Sequence, residues 1–308
     1  MIDLVDSLEY VTTNCFQHQL TRMMKQVPGV SIVTLADLAN HIKDHDRIVC
    51  RLKQRTLDAN LDSIARLISD MQFTAYDQDP WNAFTDDSPY KGVYFRAMQR
   101  LNVKHFDVTS KWWADMMMAR GIPSRFVPMW MLPEYCDEGM PYVNRPISVG
   151  FVGGVHKHRR ELFDRLRVAG INVLVPTGSL SHGDYLRAIS CIKIFIRSED
   201  VPATIDGMPI NLQHGLWGRD VEVASRGCFS IRIAGQGSEA YFAGFPIHDG
   251  KSVVRQYERE EDIPRIINDI ETMEQAARQD LIHATVDYIR RADRWQETAR
   301  MLTSFGEA

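Results

Sequence analysis

The chain is short of the features that mark specialised environments. Its five cysteines, Cys15, Cys50, Cys136, Cys191 and Cys228, are widely spaced and form no Cys-x-x-Cys pair. That spacing excludes a disulfide scaffold and a zinc ribbon and suits reduced thiols. No run approaches the ~18 apolar residues of a membrane span, and the first residues lack the basic-then-apolar order of a secretory signal. A cytoplasmic location without a membrane partner is the expectation. The formal net charge of −4 denies the protein the strongly basic surface of many nucleic-acid binders, although a local basic groove is compatible with it. Internal repeats and low-complexity segments are also missing, which predicts an ordered chain.

What is present is ordinary in amount and informative in order. At 308 residues, 44% hydrophobic and 25% charged, the sequence can build two domains with separate cores. The first part alternates helices and short apolar strands. Helical spacing covers 16–25, 57–71 and 111–120, while strands are predicted at 8–11, 30–35, 73–76, 103–109 and 125–131. Leu61, Ile64, Leu67 and Ile68 fall on one helix face. Residues 133–146, with Pro133, Pro141, Asn144 and Pro146, have little periodicity and read as a connection between domains. The second part predicts strands at 147–152, 171–175, 192–196 and 229–233, helices at 158–169, 185–190 and 220–226, and long terminal helices at 263–279 and 281–304. Strand and helix alternating at this spacing predict a parallel, Rossmann-like α/β domain.

Several side-chain groups carry chemistry. The turn from Gly150 to Arg160 joins a strand to a helix. Gly153 and Gly154 let backbone approach a ligand, and Arg159 and its basic neighbours attract phosphate at a helix start. The turn holds neither Gly-x-Gly-x-x-Gly nor Gly-Lys-Ser/Thr, so the standard dinucleotide and P-loop signatures do not apply to it. A tight βα turn with a solvated basic helix start explains the same residues. In 219–231, Glu222 sits near the start of a short helix that Gly227 ends, next to a β-rich run; a carboxylate there suits a nucleotide's ribose. Asp77 and Asp79, followed by Pro80 and Trp81, close a predicted strand where α/β sheets place ligands; either can serve as general base, and a plain turn also accounts for them. Trp112 and Trp113 open a helix capped by Thr109 or Ser110 and either stack on a sugar or staple the core. The 116–118 methionines read as core filler. Thr12, Thr13 and Asn14 precede a helix carrying His18, and Asn14 is equally a cap. The pairs His41/His45 and His156/His158 lack a third ligand, so no metal is expected.

On the phrases Val149-Gly150-Phe151-Val152-Gly153 with Arg159, and Arg219 to Phe229, the second half resembles the C-terminal domain of GT-B glycosyltransferases. It looks most like the CgeB-like, spore-maturation type within the group-1 superfamily. The tail with Trp295, Ala299 and Leu302 is similar to that family's closing helix. The resemblance implies two Rossmann-like domains with a cleft between them: 1–140 on the acceptor side, 141–285 holding the nucleotide sugar, and 286–308 as a helix returning to the first. Glu222 matches the second glutamate of the family's Glu-x7-Glu motif, which binds the ribose, while His214 occupies the place of the first. Arg159 and Arg219 then neutralise the diphosphate. The implied activity is hexosyltransferase-like transfer from a UDP- or GDP-sugar, retaining and metal-independent, with no cofactor beyond that donor substrate. The acceptor (glycan, small molecule or modified DNA) is left open. Two alternatives stand beside it: a nucleotide- or nucleic-acid-binding protein without transfer activity, in which His214 marks a lost site, and a phage-type DNA-base glycosyltransferase.

Overall fold

The computed structural model describes residues 1–5, 15–42, 47–51, 53–176, 180–197, 201–212, 218–235 and 242–304. The chain divides into two compact units. Unit 1 comprises Met1–Met129, Pro202–Ile210 and Trp295–Ala308. Its sheet contains β1 (Ile2–Val5), β2 (Ser31–Thr34), β3 (Arg47–Arg51), β4 (Gln72–Asp77), β5 (Asn102–Val108) and β6 (Ser124–Phe126), in the order β2-β1-β3-β4-β5-β6. Every pairing is parallel. Parallel strands need crossovers, and the helices Cys15–Met24, Gln54–Ile68, Val93–Arg100 and Lys111–Ala119 lie between them in the chain. In Gln54–Ile68, Leu57, Leu61, Ile64 and Ile68 recur at helical spacing and all are buried, each worth roughly 1.5–3 kcal/mol of transfer free energy. Ser110 caps Lys111–Ala119 by accepting from the Trp113 N–H at 3.3 Å. Trp113 is buried against Phe84, Trp81 and Trp112, so this tryptophan staples the core.

Past Met129 the chain supplies β7 (Ile147–Gly150), β8 (Ile192–Arg197), the short pair β9 (Pro202–Ile205) and β10 (Met208–Asn211), β11 (Phe229–Ile233) and β12 (Val254–Tyr257). Unit 2, Trp130–Val201 with Asn211–Arg294, has the parallel sheet β12-β11-β8-β7. A parallel bridge from Gly150 to Leu174 extends it past β7. Counted along its own chain, unit 2 therefore repeats the 2-1-3-4-5 order that unit 1 shows in its first five strands. In open α/β sheets, ligands bind beyond the carboxyl ends of the strands where that order reverses. In unit 2 the reversal lies between β7 and β8.

Two chain segments join unit 1 from a distance in sequence. Asp206 and Gly207, both at positive φ, turn β9 into β10, as Asp-Gly does in a type I′ hairpin. Both tip N–H groups donate to the Asp86 carboxylate at 2.9 Å. Lys91 bridges Asp86 and Asp206 and holds the Asp86 carboxyl well below the usual carboxylate range. From Trp295 onward the C-terminal helix Ala292–Thr303 also belongs to unit 1. Arg125 donates to Ser304 O at 3.1 Å while pairing with buried Asp107 at 2.8 and 3.0 Å.

The structure corrects four element readings. Residues 171–175 form no strand beyond the single bridge at Leu174, which is 46% exposed at the sheet margin. The strand predicted at 125–131 shortens to Ser124–Phe126, because the following Pro128 has no N–H to continue a ladder. The two terminal helices are three, Ile263–Glu271, Gln275–Arg290 and Ala292–Thr303, with Arg291 extended at φ −55°, ψ 131°. Residues 133–146 are packed into unit 2: Tyr135, Cys136, Tyr142 and Arg145 are buried, and Arg145 donates to Ile192 O at 2.8 Å. Of the methionines, Met117 is core, whereas Met118 is 56% exposed. The strand predicted at 8–11, Thr12, Thr13, Asn14 and His45 lie outside the described residues.

Candidate functional site

β7 runs out at Gly150, where a Cβ would lie 2.9 Å from Ile192 Cδ1. Phe151 follows, fully buried, and the chain turns through Gly153 before the helix Lys157–Val168 begins. Gly153 has φ +141°, and a Cβ on it would sit 2.9 Å from Arg219 Nη1. The backbone angle requires glycine, and the missing Cβ leaves room for the mobile end of Arg219 to lie against the turn. Arg159 donates to Gly154 O at 2.6 Å. The guanidinium carbons of Arg159 and Arg219 lie 5.0 and 5.7 Å from the centre of the Phe151 ring, within reach of a cation–π attraction. One aromatic ring thus gathers two cations at the carboxyl end of the first strand of the sheet.

The adjoining helix start has the opposite of the usual charge. Lys157, His158, Arg159 and Arg160 form the first turn, with no acidic residue there. A helix N-terminus carries positive partial charge, so basic side chains are unfavourable unless an anion joins them. The turn therefore combines backbone donors and guanidinium groups suited to phosphate.

Arg219 and Glu222 share the helix Gly218–Ser225, three residues apart and so on one face. Glu222 is buried and accepts from the Tyr185 hydroxyl at 2.9 Å. Burial pushes its carboxyl up, against the pull of Arg219, the Tyr185 hydrogen bond and Arg197. Beneath it lies an ion cluster that sequence reasoning missed. Asp220, fully buried, pairs with Arg197 from the end of β8 and, at 2.7 Å, with Arg232 from β11. One carboxylate faces two buried guanidinium groups and ties the helix to both strands. Asp220 was legible only as an acidic helix start; its partners come from strands 23 and 12 residues away.

Asp77 and Asp79 belong to unit 1. Asp77, at the end of β4, accepts from the Tyr94 hydroxyl at 2.5 Å, from Gln54 Nε2 and from the Asp79 N–H at 2.8 Å. Gln54 also donates to Asp79 O at 2.9 Å. Burial raises the Asp77 carboxyl, and the three hydrogen bonds oppose it. The geometry shows Asp77 fixing the shape of the 77–82 loop. The structure thus brings Gly153, Gly154, Arg159, Arg219 and Glu222 into one neighbourhood of unit 2. His214 lies outside the described residues.

Comparison with known proteins gives a fold. No protein-family model and no curated protein matches the sequence. Solved structures do. Anabaena HepE in complex with UDP and glucose aligns at TM-score 0.60 and 11% identity, covering 97% of each chain. An α-glucosyltransferase in complex with UDP and a 13-mer DNA containing an HMU base aligns at TM-score 0.56 and 9% identity, covering 98% of this chain and 99% of the other. A mutant O-GlcNAc transferase of Thermobaculum terrenum aligns at TM-score 0.54 and 10% identity, covering 97% of this chain and 65% of the other. The chain shares the fold of the GT-B glycosyltransferases.

Proposed function

We propose that the protein is a glycosyltransferase that moves a sugar from a nucleoside-diphosphate sugar to an acceptor hydroxyl. The observation that carries this reading is the Gly153 turn, where two guanidinium groups meet a glycine-opened backbone and a basic helix start at the sheet's reversal point. In the proposed site Arg159 and Arg219 meet the diphosphate and Glu222 the ribose hydroxyls. During transfer the bond from the anomeric carbon to the diphosphate oxygen breaks and its electron pair leaves with the diphosphate. The acceptor oxygen bonds the anomeric carbon, and its proton passes to an oxygen of the departing diphosphate. The charge that develops on the leaving group is what the cations stabilise. With these cations in place of a metal ion, the reaction is metal-independent and, by family likeness, retaining. HepE with UDP and glucose supports a UDP-hexose donor.

His214 is proposed to contact the donor sugar, and Asp77 or Asp79 is the proposed base toward the acceptor in the inverting form of the reaction. Incubating the protein with UDP-glucose, UDP-N-acetylglucosamine and GDP-mannose, and following release of the nucleoside diphosphate, tests the activity. Turnover of at least one donor is expected; none with any donor or acceptor contradicts it. Product stereochemistry by NMR separates retention from an inverting reaction that uses an aspartate base. A second reading, a DNA-base acceptor, is favoured by the full-length likeness to the α-glucosyltransferase bound to DNA. Salt-dependent binding of a 13-mer duplex would support it, because phosphate contacts release counterions.

A further inference from the structure

A cavity of about 370 Å³ opens beside β12, bordered by the helix Ile263–Glu271 and the 242–252 segment. It shares no residue with the Gly153 turn, and β12 and β7 lie at opposite ends of the four-stranded order. Its lining is unbalanced in charge. Lys251, Arg255 and Arg265 bring three cations, and Asp269 is the one carboxylate. That carboxylate is shared by Lys251 at 3.3 Å and Arg265 at 3.7 Å, and Arg265 also pairs with Asp262, outside the lining, at 3.6 Å.

Arg255 feels the charge of Asp269 but makes no direct ion pair or hydrogen bond with it. It is 7% exposed, and its Nε and Nη1 are buried without a hydrogen-bond partner among the described residues. Nη2 reaches Met273 Sδ at 3.6 Å, and the Phe229 ring lies 5.8 Å from the guanidinium carbon. A sulfur and a ring face leave most of its five donors unused. Burial lowers its pKa to about 10 against the opposing charge of Asp269, so it stays charged at neutral pH. Buried donors of this kind are ordinarily satisfied, and a buried cation calls for an anion.

The loop next to it is closed by its own hydrogen bonds. Asp249 and Gly250, at φ +49° and +72°, make a tight turn across which His248 and Lys251 exchange both backbone hydrogen bonds, at 2.8 and 3.0 Å. Ser252 is held by Val254, donating to its O at 2.9 Å and accepting from its N–H at 3.2 Å. Gly250-Lys251-Ser252 is no P-loop, since a strand follows it where a P-loop has a helix. Ile247, 67% exposed, offers apolar surface at the rim.

We propose that this cavity is a second ligand site, which binds a phosphate monoester dianion through Arg255, Lys251 and Arg265. Three cations face two carboxylates, Asp269 and the Asp262 that pairs with Arg265, so the lining keeps a positive surplus centred on the unsatisfied Nε and Nη1 of Arg255, and the volume lies within the range of small-molecule pockets. The carbon skeleton of the ester lies against Ile247 and Phe242. The site is independent of the transferase reading.

Inorganic phosphate and glycerol 3-phosphate are titrated calorimetrically into the full chain at constant ionic strength, with chloride as the balancing anion. Saturable binding of both is expected, tighter for the ester. Lys251→Ala/Arg265→Ala, at partly exposed positions that leave the core intact, and Arg255→Lys each weaken it at least tenfold. Arg159→Ala/Arg219→Ala leaves the affinity within twofold. Failure of both probes to bind, or full affinity in Lys251→Ala/Arg265→Ala, overturns the site. Equal affinity for the two probes overturns its assignment to an ester.

Discussion

The two units solve the same topological problem and place different chemistry on it. The first five strands of unit 1 run in a 2-1-3-4-5 order, and unit 2 follows the same order when the Leu174 bridge stands in for its second strand. In unit 1 the carboxylate at the end of β4, Asp77, receives three donors from its own surroundings, so its acceptor capacity serves the loop. In unit 2 the turn after β7 gathers donors instead: glycine backbone, Arg159 and Arg219 around Phe151. A cluster of cations around a glycine turn is incomplete without an anion.

The comparison can be broken at four points. The largest effect should come from Asp220→Ala, which leaves Arg197 and Arg232 buried without their shared carboxylate. Removing one member of such a cluster costs about 3–5 kcal/mol, read as a drop in the urea unfolding free energy. A loss below about 1 kcal/mol would show that the cluster does not hold the site helix.

Next comes a pH effect confined to unit 1. Burial raises Asp107 to about 7 against the pull of Arg125, and burial with Arg125 lowers His105 to about 4. Asp107 binds its proton more tightly folded than unfolded, so its contribution to stability falls as pH rises from about 4 to about 7. His105 binds its proton less tightly folded, so its contribution rises between about pH 4 and 6.5. The slopes oppose each other in the native chain. His105→Gln should expose the Asp107 slope as a loss of a few kcal/mol from pH 4 to 7. A flat profile in that variant contradicts the assignment.

A smaller effect separates two adjacent glycines. Gly153→Ala forces a Cβ to 2.9 Å from Arg219 Nη1 at a φ of +141°, a strain of about 1–3 kcal/mol, and should lower UDP affinity roughly tenfold. Gly154→Ala meets nothing closer than His156 Nε2 at 3.5 Å and should be tolerated. Equal behaviour of the two variants would remove the Arg219 approach from the account. The smallest effect is expected from Asp77→Asn, whose UDP affinity should stay within twofold; a tenfold loss would erase the distinction between the units.

The sequence made much of this legible, and the gaps have physical causes. Hydrophobic spacing located Gln54–Ile68 and the strands β4, β8 and β11, because buried parallel strands read as continuous apolar runs. The Gly153 turn was visible because glycine, arginine and a strand end coincide locally. The Asp206-Gly207 hairpin was missed although its dipeptide is a strong turn signal. Tyr185, Arg197 and Arg232 were missed because each reaches the site from another strand or helix, which no local pattern records; Phe151 stood within the glycine turn, but its contact with two guanidinium groups is a tertiary fact. Asp77 stood out as a strand-end carboxylate; that Gln54 and Tyr94 occupy it is a tertiary fact.

The most direct measurement is a calorimetric titration of UDP, GDP and ADP into the native protein and a folded Glu222→Ala variant, with circular dichroism confirming the fold. The account predicts saturable binding of at least one nucleotide by the native chain and at least a tenfold loss in the variant. Undiminished affinity in the folded variant, or no nucleotide binding at all, would contradict it.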